Sequence, residues 1–167
     1  MAALLAKETV VTEPLSLLPL ACHVGIDEVP WVPNPAVPGA SMRLLQADVE
    51  RGLYVTSGRL DAGIEVGIHR HTGAVHMFTL AGAWRYLEHD YVNRAGSYLF
   101  EPAGSVHTFA VLPDQGITET LTVIYGETEY LDTDGNITQV TNAATNLRAY
   151  YEACELAGVP RPQAILR

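Results

Sequence analysis

Two histidines, His69 and His71, stand one residue apart at the end of the stretch Glu65 to His71, and a third, His107, follows the segment Ser97 to Glu101 and a Pro102-Ala103-Gly104 break. On a β-strand alternate side chains leave the same face, so the first two imidazoles point one way. Gly67, on that same alternation, leaves room for something to approach closely. The Pro-Gly break reads as strand, tight turn, strand, which delivers His107 beside the histidine strand. Three imidazoles on two neighbouring strands of a closed sheet would converge on one divalent transition metal. Imidazole suits iron, nickel, copper and zinc.

The ordinary alternative for each histidine is a polar residue on a solvent-facing strand. Against it, five of the six histidines fall between 69 and 107, and His69 and His71 alternate with the apolar Val66 and Ile68. Three neutral imidazoles leave the charge of a divalent ion uncompensated, with coordination positions open. Such a site binds a chelating, anionic oxygen ligand such as an enolate and leaves room for O2. Zinc in the same place would instead activate bound water for hydrolysis. Both chemistries stand at this point.

Other residues could serve the same centre. Glu101, just before Pro102, is a candidate to hydrogen-bond a ligand imidazole or bound water; a surface carboxylate is the alternative. His76 faces outward by simple alternation if Val75 faces inward; a bulge or a four-residue offset would turn it toward the metal as a ligand, and otherwise it is a candidate catalytic residue that supports the ligands or gates the site. His89 beside Asp90 reads as a turn pair. Trp84, Tyr86 and Glu88 share one strand face, and Arg85 and Leu87 the other. Trp84, Tyr86 and Phe109 would wall a pocket for a small, flat organic molecule, although aromatic residues of this kind are core by default.

The elements that must position these groups are short strands. Residues 1–25 are mildly apolar, with Leu15, Leu17, Leu18 and Leu20 expected to cover a surface of the domain or of a partner subunit. Four prolines between Pro30 and Pro38 exclude a helix and a central strand, so this segment reads as an extended arm pinned by Trp31. From Ser41 onward strands are expected at 42–45, 53–56, 65–71, 77–80, 83–88, 97–101, 106–112 and, as one long run, 117–130. Turns are expected at 58–63 and 132–136. The Asp132-Thr133-Asp134-Gly135 stretch lacks the full calcium-loop pattern and is read as one of these turns. Leu147, Tyr150, Tyr151 and Cys154 recur at helical spacing before Gly158 and Pro160 stop them. Short, evenly spaced strands followed by one helix argue for an all-β sandwich or barrel with a helix packed outside. The divisions expected are an N-terminal arm over 1–40, a barrel over 41–140, and a helix with its tail over 141–167.

Bulk properties narrow the function classes. The chain has 167 residues, enough for one domain with a real core, and a formal charge of -9 from 19 acidic and 10 basic residues. No Lys/Arg cluster offers a phosphate-binding face, so nucleic acid is not an expected partner. No stretch approaches the roughly 18 apolar residues of a membrane helix. Met1 to Lys7 has no basic start and no apolar run of secretory type. Cys22 and Cys154 belong to no paired motif, and two reduced cysteines suit a cytoplasmic protein.

The spacing Gly63, five residues, His69-x-His71, three residues, Val75, six residues, Gly82 resembles the first cupin motif. Gly96, five residues, Pro102-x-Gly104, two residues, His107 resembles the second. Where cupins usually place a glutamate ligand this chain has Val75, and Val111 stands where an asparagine is usual. The departure favours a three-histidine centre on His69, His71 and His107. Within the cupins, the runs Ala83 to Tyr91, Gly96 to Pro102 and Val106 to Thr108 resemble the 2,4'-dihydroxyacetophenone dioxygenase group, which is related to the acetylacetone-cleaving dioxygenases. The resemblance covers about Trp31 to Tyr151. It implies a single-domain jelly-roll β-barrel and a homodimer or homotetramer without an organic cofactor. It also implies non-haem Fe(II), with O2 as co-substrate, cleaving a carbon–carbon bond beside the carbonyl of a small ketone. His69, His71 and His107 would bind iron, Glu101 would sit just outside the ligands, and Arg85 would orient or charge-balance the substrate. The rival readings are a zinc- or nickel-bound cupin hydrolase or isomerase, and a non-enzymatic cupin that binds a small ligand.

Overall fold

The computed structural model describes residues 21–25 and 27–167; the leucines expected to cover a surface, from Leu15 to Leu20, lie outside them. Twelve strands precede one helix among the described residues. In chain order they are β1 (Val32–Pro33), β2 (Ala40–Asp48), β3 (Leu53–Leu60), β4 (Glu65–His71), β5 (Val75–Ala81) and β6 (Ala83–Tyr86), followed by β7 (Asn93–Arg94), β8 (Tyr98–Glu101), β9 (Val106–Val111), β10 (Thr118–Tyr125), β11 (Thr128–Leu131) and β12 (Ile137–Thr141). The helix, α1, is Ala143–Leu156.

The all-β class with one C-terminal helix is as expected, but the closed barrel is not formed. The strands divide into two open six-stranded sheets, one ordered β1-β2-β3-β10-β5-β8 and the other β12-β11-β4-β9-β6-β7. The reason lies in how the chain passes between the sheets. It leaves β5 for β6 through Gly82, at φ 71°, and leaves β10 for β11 through Gly126, at φ 77°, conformations that side chains with a Cβ rarely adopt. At Gly82 a Cβ would lie 2.4 Å from Thr118 Oγ1 and 2.7 Å from the carbonyl oxygen of Ile117. The chain therefore turns sharply at each corner, and no backbone ladder carries one sheet into the other.

Two further expectations change with these corners. The run 117–130 is two strands in different sheets, split at Gly126, and the turn expected at 58–63 is shorter, because β3 pairs with β10 as far as Leu60. Strand β4 keeps the expected bounds, Glu65–His71.

The core has two parts. One joins the arm to the helix: Val29 and Val32 of the arm are each 1% exposed and pack with Leu44, Tyr54, Tyr150 and Cys154. Trp31 itself lies outside this cluster, with the Arg43 and Arg59 guanidinium groups over its ring at 4.4 and 4.0 Å. Each such contact adds about 0.5–1 kcal/mol. The pin of the arm is thus two valines inside and one indole outside. Asn142 starts the helix with a reciprocal cap: its side chain accepts from the Thr145 amide at 3.0 Å while Thr145 Oγ1 accepts from the Asn142 amide at 2.8 Å. The second core part, Leu60, Trp84, Tyr86, Phe109 and Val111, lies between the sheets beside the histidines. Trp84 and Phe109 stack there with centroids 4.2 Å apart.

Candidate metal centre

Strand β4 is flanked in its sheet by β9 and β11, and this places the three histidines. His69 pairs across the β4–β9 ladder with His107, and His71 pairs with Thr128 of β11. The turn after Glu101 is tied to the histidine strand by the Gly104 amide, which donates to the His71 carbonyl at 2.8 Å. The three side chains are buried, and each offers a ring nitrogen within 4.8 Å of the other two.

Hydrogen bonds on the far side of two rings fix which nitrogen is available. His69 Nδ1 lies 2.8 Å from the Gly67 carbonyl, which can only accept, so Nδ1 carries the proton and Nε2 keeps its lone pair. His71 Nδ1 lies 3.1 Å from Thr128 Oγ1, which in turn lies 2.7 Å from the Tyr54 hydroxyl. Donation along this chain from His71 to Thr128 to Tyr54 leaves His71 Nε2 free as well. Burial pushes the pKa of both rings down, that of His71 to about 4, so both are neutral near pH 7. Burial also raises the Tyr54 hydroxyl to about 12, which keeps it protonated. Neutral imidazole with an oriented second nitrogen is the form that ligates metals.

Glu101 reaches this cluster from the opposite sheet. Its strand, β8, pairs with β5 so that Glu101 stands opposite Val75, the position where cupins usually carry a glutamate. The carboxylate is 2% exposed. Oε1 accepts a hydrogen bond from the Tyr86 hydroxyl, and Oε2 lies 3.4 Å from His71 Nε2 and 3.2 Å from His107 Nε2. Burial alone would raise its pKa, but His107, Tyr86 and His71 together outweigh burial and hold the carboxyl below its usual range. Tyr86 also stacks on His107 with centroids 4.0 Å apart, and burial followed by the Glu101 charge raises its hydroxyl far above the ordinary tyrosine range.

Glu101 Oε2 and His107 Nε2 are both buried and neither makes a hydrogen bond. Leaving such atoms unpaired costs about 1–3 kcal/mol each, more when charged. An anionic oxygen and imidazole nitrogens converging without satisfying one another is the donor chemistry a divalent cation fits. A transition metal held by His69, His71 and His107 therefore suits the residues present.

A cavity of about 180 Å³ opens beside His69 and His71 between the sheets. Tyr86 and Phe109 line it, while Trp84 does not and stands behind Phe109. Arg85 is exposed on the face of β6 opposite Trp84 and Tyr86. His76 follows the inward Val75 on β5 and turns away from the triad, where Nδ1 lies 2.7 Å from the Tyr98 hydroxyl. His89 stacks on Tyr91 at 5.0 Å, apart from the triad. Several lining residues carried no expectation from the sequence: Tyr54, Thr120, Thr122, Thr128 and Tyr130. The threonines had a signal, since Thr118, Thr120 and Thr122 alternate along β10 and all three are buried. Alternating threonines mark an interior face that is polar, as a ligand site needs and a plain core does not.

A buried triad of histidines between two β-sheets, with a small cavity beside it, defines a cupin of the metal-binding kind. Residues 21–130 match the model of the ChrR cupin-like domain, and the chain belongs to that family. Comparison with curated proteins finds none that matches. Among solved structures, an RmlC-like cupin protein from Ralstonia eutropha JMP134 is 34% identical, with a TM-score of 0.80 over 91% of this chain and 97% of that one. A protein of unknown function with a cupin-like fold from the same organism is 31% identical, with a TM-score of 0.69 over 72% of this chain and 75% of that one. The acetylacetone dioxygenase of Acinetobacter johnsonii shares the fold at 18% identity, with a TM-score of 0.70 over 92% of this chain and 99% of that one.

Proposed function

We propose that the chain is a non-haem Fe(II) dioxygenase that uses O2 to cleave a carbon–carbon bond next to the carbonyl of a small diketone or hydroxyaryl ketone. The observation that carries this reading is the convergence of three buried imidazole donors on an ionised, buried carboxylate whose Oε2 has no hydrogen-bond partner. Iron bound by His69, His71 and His107 would supply a centre at which a ketone oxygen and dioxygen meet. Three neutral ligands favour a substrate that brings its own negative oxygen, and an enolisable ketone does so after losing one proton. Glu101 Oε2 takes that proton, and the Tyr86 hydroxyl on Oε1 keeps the carboxylate aimed. Tyr86 and Phe109 bound the flat part of the substrate, with Trp84 bracing Phe109. Arg85 and His76, set away from the cavity, have no part in this proton transfer. The resemblance to the dihydroxyacetophenone and acetylacetone dioxygenases supports the reaction class.

The test is anaerobic reconstitution with Fe(II), followed by oxygen uptake against a panel of 1,3-diketones and α-hydroxyaryl ketones, with zinc-loaded protein as control. Oxygen consumed one-for-one with a ketone, in the iron form only, is the expected result. Tight zinc retention with no uptake in the iron form would overturn it in favour of a hydrolytic or isomerising zinc cupin. A homodimer or homotetramer remains part of the proposal, and mass in solution tests it.

A further inference from the structure

The cavity beside the triad, about 180 Å³, is smaller than the roughly 300 Å³ at which ordinary ligand pockets begin. A second cavity, of about 280 Å³, lies against its outer wall. Three residues, Val37, Val66 and Tyr130, line both cavities and so form the partition between them. Together the two volumes reach the range of ordinary ligand pockets.

Each side of the partition has a local cause. Val37 sits on the β1–β2 loop, which folds back on Asn34: the Ala36 amide donates to Asn34 Oδ1 at 3.0 Å and the Val37 amide to the Asn34 carbonyl at 3.2 Å. Tyr130 pairs with His69 across β11 and β4, and its ring lies 5.7 Å from the imidazole. Below the partition, the β4–β9 ladder is irregular between Val66 and His69, and Gly67 lies in that gap. A Cβ at Gly67 would meet no atom within 4 Å. The absence of a side chain there helps keep the outer cavity open, next to the strand that carries two metal-site histidines.

We propose that the outer cavity is a tail subsite of the same binding site, so that the preferred ketones are elongated, with the chelating end at the triad and an uncharged alkyl or aryl tail passing between Val37 and Tyr130. Pro38, Ile68 and Leu131 give the subsite an apolar wall, Thr138 and Gln139 give it a polar one at least as large, and Glu65 at its border disfavours an anionic tail. This extension rests on the ketone reading above.

Calorimetric titration of Fe(II)-loaded protein, kept anaerobic so that no turnover intervenes, tests it with two probes, acetylacetone and 1-phenyl-1,3-butanedione. Wild type is expected to bind the phenyl diketone at least tenfold more tightly. Thr138→Trp and Gln139→Trp, which fill the outer cavity from β12, should each reduce that preference at least tenfold. The short diketone serves as the control for damage to the metal end. A wild type without the preference, or a preference that survives both substitutions, overturns the tail subsite alone. Failure of both diketones to bind wild type overturns the ketone reading, and the subsite with it.

Discussion

His71 is held from both ends, by Thr128 at Nδ1 and by the metal-facing cluster at Nε2, and its burial has consequences that can be measured. Its pKa falls from 6.5 to about 4 in the folded chain, so the unfolded chain takes up the proton first. The stability that goes with the neutral ring is complete above about pH 6.5 and is lost as pH falls towards 4. The loss from this one group reaches roughly 3 kcal/mol. Glu101, also depressed, adds a loss of the same sign at lower pH. Urea midpoints of the metal-free protein should therefore fall steeply between pH 6.5 and 4; a flat profile would contradict the neutral, buried ring. Thr128→Val removes the partner of Nδ1 and should weaken metal affinity by about 10–100-fold, measured by competition with a chelator. Tyr86→Phe should leave metal content intact and reduce turnover by about 10–100-fold, because Glu101 then loses the donor that aims it. His69→Ala should lose both metal and turnover.

At the scale of elements, the two sheets depend on their corners. Gly82→Ala sets a Cβ against Thr118 Oγ1 and the Ile117 carbonyl at a positive φ, and should destabilise the fold by roughly 2–4 kcal/mol, read as a drop in the urea midpoint. Much of the site was legible in the sequence because it obeys short-range rules. Alternation put His69 and His71 on one face, and the Pro102-Gly104 turn placed His107 beside them. Strand spacing pointed to a sandwich or a barrel, and the choice of two open sheets between these was not legible. Residues 117 to 130 keep a strand-like composition through Gly126, and only the backbone at that glycine shows that the chain changes sheet. The partners of the ligand rings were hidden for a related reason: Thr128 and Tyr54 are remote from His71 in sequence, and β-pairing brings them to it. Glu101 was visible as a candidate, whereas its place opposite Val75 depends on the β5–β8 register.

For the whole molecule, a metal that binds only the folded chain adds stability by mass action. At a hundredfold excess over its Kd the gain is about 2.7 kcal/mol, and for a chain of this size each kcal/mol raises Tm by roughly 2–4 °C. Chelator treatment should lower Tm accordingly, and Fe(II) or zinc should restore it in wild type but not in His69→Ala. The two tryptophans would then act as an internal optical gauge. Trp84 is 0% exposed and its ring lies 5.1 Å from that of Tyr86, which stacks directly on His107. Trp31 lies under two guanidinium groups on the arm. A Trp31→Phe variant would therefore emit from Trp84 alone, at short wavelength, and loading with iron should dim that emission while zinc leaves it bright. The same cuvette would report occupancy and metal identity together, with no dye attached.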